Sequence, residues 1–541
     1  MRPENDEEEQ RLEALERLAH CSQLSGQLND GVLALREIVE SPNVARDQLR
    51  FAEAQRSLAT IYGLQGAWES NLAARNAAAM AFESAGLSGE AAIERLAAAA
   101  RNTGMNNLKR AIELCDMAIA LAQKKDRRDI KARALGLKGN ILSMQGQAEA
   151  GIQIANEGLA LALDNNLPEA ASEVYRRLGS TLEYASQYKS SQEVYDNAYR
   201  YCTAQGDEAN SEICLSCMSW VLFRTGDWKR CLEVCKEVIG NEEKNPGPAA
   251  VAYGVAGLIR AYRGEARQAR RYFEKSLPQI RRNAHVVMEM IVLWGLALLE
   301  TFDGNDEAAA PLYNKVLELR DQEQDMHDSL LAICSAVTFF GTRGAQQETA
   351  MCVKALADMS AETGNIETLG ALAIALGETA LLNQRPADAV RQFQQALTHF
   401  ETLETPLEIA QIEYRLGVAL NNKNEKEAAI HHYKNGYRLA RNLGVRPLAA
   451  QISDELQRLG ETAEERRTPE AQERINQGGL TRRQVEIARL IADGLTNKEI
   501  ASKLFLSPRT VEMHVANMLD RLDCRSRSEV VRKAGELGLL N

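Results

Sequence analysis

Residues 480–522 read LTRRQVEIARLIADGLTNKEIASKLFLSPRTVEMHVANMLDRL. The stretch decides the fold of its end of the chain because its helix starts are spelled out. Thr481 stands three residues before Gln484 and Thr496 three before Glu499, and further on Ser526 stands three before Glu529. This is the spacing at which a hydroxyl and a carboxylate or amide side chain satisfy each other's free backbone N–H groups at a helix start. Ser507 precedes Pro508, whose fixed φ and missing N–H suit a first helical position. Gly494 offers a stop to the first helix. The spelling predicts four helices: about a dozen residues, then about 497–504, a tight turn, 508 to about 522, and a short one from Arg527.

The second and third of these have the arrangement of a helix-turn-helix. In the third, Val511, Val515, Met518 and Leu522 form a core stripe, and Arg509, Glu512, Met513, Ala516 and Asp520 lie opposite. The exposed face of such a helix enters the major groove of double-stranded DNA. On this frame Lys498, Thr510, Asn517 and Arg521 reach phosphates, while Arg509, Glu512, Met513 and Ala516 face the bases. A carboxylate repels phosphate but accepts from a cytosine amino group, so Glu512 is expected to read a C·G pair and Met513 a thymine methyl.

The residues Leu480-Thr481, Arg483, Gly494, Thr496-Asn497-Lys498-Glu499-Ile500-Ala501, Leu504, Ser507, Thr510-Val511, His514, Asn517, Leu522 and Arg527 together resemble the LuxR family of helix-turn-helix domains. The resemblance covers residues 478–541. It implies a bacterial transcription regulator that pairs as a homodimer on inverted half-sites, with RNA polymerase as a further partner. Gln484 departs from the usual Glu of the family, and Glu512 and Ala516 stand where many members carry Lys or another polar reader.

Residues 461–479, ETAEERRTPEAQERINQGG, lose all apolar periodicity and end in Gly-Gly, so 461–477 is read as a polar linker. Upstream of it a turn residue recurs between amphipathic patterns. Gly26, Gly66, Gly146 and Gly226 share one frame of forty, and Gly264, Gly304 and Gly344 continue it after a slip of two. The remaining turns fall near Met105, Ser186, Gln384 and Asn424. A Gly about seven residues before many turns, as at Gly179, Gly257, Gly295, Gly377 and Gly417, is read as allowing close helix approach.

The pattern resembles tetratricopeptide repeats lengthened to about forty residues, as in MalT-like regulators. It implies an all-α chain: a superhelix of about eleven helical hairpins over residues 1–460, followed by the four-helix domain. A set of unrelated helical bundles is the alternative. On the tetratricopeptide frame Trp220, Phe223, Tyr262, Trp294 and Phe302 fall on or near the concave wall, a surface for a peptide, protein or small-molecule effector, unless a one-residue slip sends them into the core.

Charge and composition bound the rest. The 541 residues carry a net charge of −11. Residues 480–541 hold 11 Lys and Arg against 8 Asp and Glu, a net of +3, which leaves −14 for the remainder. A basic nucleic-acid module is thus joined to an acidic body. Ten scattered Cys fit reduced thiols, the N-terminus has no apolar core of a signal peptide, and the apolar run Val286 to Leu299 is too short to span a bilayer. A cytoplasmic protein with no membrane partner is expected.

No G-x-x-x-x-G-K-[ST] is present to cradle a nucleotide, and no H-E-x-x-H or G-x-S-x-G, so neither a cofactor nor an enzyme activity is expected. Cys214, Cys217, Cys231 and Cys235 have ligand-like spacing, but the repeat places two of them in the core, where thiols act as small hydrophobes. No metal is therefore assigned, and these four remain the weak candidate. Two readings stay open: a regulator whose repeat body senses an effector and controls the DNA-binding domain, and an interaction scaffold in which the helix-turn-helix is a docking site.

Overall fold

The computed structural model describes residues 2–282, 285–323, 329–463, 480, 482–504, 508–522, 524, 526–537 and 539. Among them every regular element is helical, 27 α-helices and one short 3-10 turn at Val44–Arg46. The chain forms two compact units, Met1–Leu459 and Gly460–Asn541. Each is considered by itself, and the expected linker over 461–477 lies mostly outside the described residues.

The first unit is eleven helical hairpins and a closing helix, Arg446–Arg458. The typical helix is 17 residues long and is followed by three residues of turn, as in Gln48–Leu64, Trp68–Ser84 and Ser88–Gly104. The underlying step is therefore twenty residues. A residue with left-handed backbone closes each step: Gly66, Gly86, Asn106, Asp126, Gly146, Asn166, Ser186, Gly206 and Gly226 in unbroken succession. After Gly66 the chain donates from Gly66 N to Gly63 O and from Ala67 N to Tyr62 O, the paired bonds that use up the last carbonyls of a helix. The bond from Leu87 N to Phe82 O and the one from Gln147 N to Leu142 O repeat it. Turns within and between hairpins thus share one geometry, where the sequence frame marked only those within. The turn expected near Met105 has Asn106 as its left-handed residue.

The two-residue slip lies between the shortened helix Trp228–Gly240 and Pro246–Tyr262. The glycines ahead of the turns do not bring backbones together as expected. They seat a ring from the second helix: a Cβ at Gly179 would stand 2.5 Å from Tyr195, at Gly257 2.6 Å from Phe273, at Gly377 2.6 Å from Phe393 and at Gly417 2.5 Å from Tyr433, while Gly295 meets Phe273 of the preceding hairpin at 2.2 Å. Backbone approach of that kind occurs between Gly139 and Gly151.

The array also closes on itself. The turn of the fourth hairpin, at Gly146, lies against Thr363, that of the sixth, at Gly226, against Pro406, and that of the seventh, at Gly264, against Pro447. Lys189 pairs with Glu404 across the same seam. Hairpins near the middle of the chain therefore rest on the last ones and enclose an interior.

The second unit packs Arg482–Ala492, Asn497–Leu504, Pro508–Arg521 and Arg527–Glu536 around Leu480, Ile487, Ile491, Ile500, Val511, Met518, Leu522 and Val530. The positions match the expected ones to within a residue or two. Gly494, at φ 82, ends the first helix, with Leu495 N donating to Leu490 O as in the repeat turns.

Candidate functional site

The start of the second C-terminal helix is closed in both directions. Glu499 N donates to Thr496 Oγ1 at 3.4 Å and Thr496 N to Glu499 Oε2 at 2.7 Å. The bond from the Thr496 backbone, followed by that from its hydroxyl, holds the Glu499 carboxyl below its usual range. Glu529 N donates to Ser526 Oγ at 3.3 Å and opens the last helix the same way. Thr481 and Ser507, the other two expected starts, lie outside the described residues. Arg527 ties the last helix to the second: Nη1 donates to Asn497 Oδ1 at 2.8 Å and Nη2 to Leu495 O.

These fixtures orient Pro508–Arg521. Val511, Met518 and Leu522 are buried and Val515 half-buried, while Glu512 and Ala516 are exposed on the opposite side. Lys498 is exposed at the start of the preceding helix. The backbones of Arg509, Thr510, Met513, Asn517 and Arg521 belong to the same helix, and their side chains lie outside what is described. The arrangement is a rigid helix with one face fixed in a core and the other presented outward, the geometry of a major-groove reader.

Inside the repeat unit the five expected wall aromatics are brought together. Ring centroids are 5.3 Å apart for Trp220 and Phe223, 6.3 Å for Phe223 and Tyr262, and 6.0 Å for Tyr262 and Trp294. Trp220, Phe223, Tyr262 and Trp294 are buried and Phe302 is half-buried. Tyr262, Trp294 and Phe302 line an interior cavity of about 320 Å³. Trp220 and Phe223 do not: Phe223 lies between Trp220 and Trp228, 5.8 Å from the latter, and is spent on packing. The wall includes residues the sequence frame did not single out, among them Tyr313, Phe339 and Tyr414. A positional signal exists, since Trp294, Cys334, Ile374 and Tyr414 each stand ten residues before a left-handed turn residue and all four line the cavity. A wider, more polar hollow of about 930 Å³ includes Asn102, Arg110, Glu113, Tyr184 and Thr363 in its lining.

At one edge of the cavity the seam is held by charges. Arg224 Nη2 is 2.6 Å from Glu367 Oε1 and 3.2 Å from Glu408 Oε1, all three side chains at most 3% exposed. Arg224 Nη1 donates to Tyr188 Oη at 2.6 Å, Tyr188 donates to Glu367 Oε2 at 2.6 Å, and Ser186 donates to the same oxygen at 3.1 Å. Burial pushes the Glu408 carboxyl above its usual range, against the pull of Arg224. Arg415 donates to Glu378 through both Nε and Nη2, each at 2.5 Å.

Cys214, Cys217, Cys231 and Cys235 do not converge. Cys231 donates to Ser219 O at 3.1 Å, and among the described residues no group of three or more His, Cys, Asp or Glu is placed to hold a metal. Cys214 instead neighbours Cys202, and its hydrogen bond lowers the Cys202 thiol to about 7. Among the described residues no helix is long and apolar enough to cross a membrane.

Residues 479–534 match the family described as bacterial regulatory proteins, luxR family. The chain is 50% identical over 60 residues to the uncharacterized response regulatory protein YgeK of Escherichia coli (strain K12), covering 11% of this chain and 41% of that one. It is 44% identical over 62 residues to the transcriptional regulatory protein LiaR of Bacillus subtilis (strain 168), covering 12% of this chain and 29% of that one. The chain thus spans less than half the length of these relatives. In fold it is similar to a Rap protein solved in complex with Competence and Sporulation Factor, with a TM-score of 0.50 and 12% identity, over 66% of this chain and 99% of that one.

Proposed function

We propose that this chain, whose residues 479–534 are a luxR-family domain, is a DNA-binding transcription regulator in which the repeat body binds an effector and sets the availability or pairing of the reading helix. The observation that carries the proposal is the third C-terminal helix, clamped by Val511, Met518 and Leu522 and presenting Glu512 and Ala516 outward. Base contacts from that face give sequence preference, and cations such as Lys498 supply the phosphate contacts that fix register. The net of +3 over residues 480–541 is modest, so two copies on inverted half-sites, about one DNA turn apart, give the affinity that one copy lacks. The aromatic-lined cavity of the repeat body supports the effector half of the reading. A repeat fold of this kind is known with a bound factor, as in the Rap complex.

The test is genome-wide mapping of bound sites with the full chain and with a chain lacking residues 1–460. A shared sequence motif whose occupancy changes on deletion is the expected result. A full chain that marks no motif overturns the regulator reading, and identical occupancy by both chains overturns the control by the repeat body.

A further inference from the structure

The interior cavity is lined by two residues whose buried polar groups the fold leaves short of partners. Glu408 lines it at 3% exposure, and neither carboxylate oxygen accepts a hydrogen bond of good geometry, although Thr405 and its own backbone amide lie close. The cation paired with Glu408 is Arg224, whose Nη2 stands nearer to Glu367, at 2.6 Å against 3.2 Å. One guanidinium therefore serves two carboxyl groups, and Glu408 is left only partly paired. The other charges of the wall do not offset it, because Arg415 is taken by Glu378 and the exposed Arg343 by Asp306. Trp294, 1% exposed, has an Nε1–H with no acceptor. A buried carboxylate without full pairing is costly, and so is an orphaned donor. Both costs fall if a ligand supplies the partners.

The remaining wall selects the body of that ligand. Tyr262, Trp294, Tyr313 and Phe339 contribute rings. Aromatic faces are negative, so they attract a cation and repel an anion, and they accept a flat apolar group. A volume of about 320 Å³ is enough for a small molecule of one or two rings and too small for a folded peptide segment.

We propose that this cavity binds a small organic cation, an ammonium or guanidinium on a flat apolar body, with its charge at Glu408 and a hydrogen-bond acceptor at Trp294 Nε1. The regulatory consequence rests on the effector reading above, while the binding itself rests on the cavity alone. The same chemistry is presented by a free amine and by a basic side chain at the end of a peptide, and the experiment separates them.

Isothermal titration of the full chain is run with tryptamine, its neutral analogue ethylindole, the anion indolepropionate, and the peptide acetyl-Gly-Arg-Gly-amide. Tryptamine or the peptide is expected to bind about tenfold or more tighter than the neutral and anionic probes. Tightest binding by tryptamine identifies a free amine, and tightest binding by the peptide identifies a basic side chain. Glu408→Gln is expected to erase the preference for the cation while the neutral probe is unaffected. Thr342→Trp, at an exposed position of the lining, is expected to weaken every probe without disturbing the core. The ranking is read on the unaltered chain, so it stands even if E408Q fails to fold. Equal or tighter binding of ethylindole or indolepropionate, or no binding of either cationic probe, overturns the proposal. If an anionic or neutral probe wins and T342W blocks it, the effector reading survives without the cation. If the cation binds and DNA affinity does not change, the cation site stands and the effector reading falls.

Discussion

The two units of this chain are specified by different ranges of interaction. In the C-terminal unit the deciding contacts are local: Thr496 with Glu499 and Ser526 with Glu529 each lie three residues apart. In the repeat unit the hairpins are local, but the closure of the array is not. Ser186 and Tyr188 reach Glu367 across 181 and 179 residues. Local caps are individually weak and additive, whereas a buried charge network concentrates its energy in few residues. The first unit should therefore fail through single substitutions at the seam, and the second should lose stability in small steps.

The sharpest way to break this contrast is Arg224→Met, which leaves Glu367 and Glu408 buried without a cation. It is expected to cost about 3–5 kcal/mol, read as a fall in the urea midpoint of the repeat unit by circular dichroism. An unchanged midpoint would mean that the closure contributes nothing to stability. Gly295→Ala forces a methyl into the Phe273 ring and is expected to cost about 1–3 kcal/mol by the same measurement. In the other unit Glu512→Ala is expected to leave stability alone and to change base preference by about 1–3 kcal/mol at one position of each half-site, read by binding selection. If every position keeps its preference, Glu512 does not read a base. Thr496→Ala removes one cap and should cost about 1 kcal/mol, seen as faster amide exchange in Asn497–Leu504 with no change in the repeat unit.

The smallest expected effect has the opposite sign. Because the folded Glu408 carboxyl has a raised pKa, folding favours its protonated form; its contribution is intact below the ordinary carboxylate range and is lost as pH rises through the folded value. Glu408→Gln should therefore raise the urea midpoint at about pH 7 relative to about pH 5, compared with the unaltered chain. A lowered midpoint at both would show that its pairing with Arg224 outweighs the burial.

What was legible follows the same division. Caps and the forty-residue glycine frame located nearly every helix, because Gly, Asn and hydroxyl residues announce turns by their own chemistry. The twenty-residue step was half hidden because the forty-residue frame passes over the turns between hairpins, at Gly86, Asp126, Asn166 and Gly206, and because Glu404 adopts left-handed backbone that its side chain does not advertise. In sequence Glu367 and Glu408 look like the acidic first-turn residues of any solvated helix. Only the returning array turns them inward, and a contact made across 179 or 181 residues leaves no periodicity to read. The aromatic wall was legible in part: Tyr262, Trp294 and Phe302 line the cavity, and Phe223 was lost to packing against Trp228, a ring placed by the turn after Gly226.

The central claim is that the outward face of the third C-terminal helix reads DNA. Its most direct test is the equilibrium affinity of the full chain for a selected duplex and for a scrambled one, over a series of salt concentrations. The account predicts tighter binding to the selected duplex by about three orders of magnitude or more, with an affinity that falls steeply and log-linearly as salt rises. Equal affinity for both duplexes, or binding indifferent to salt, would contradict it.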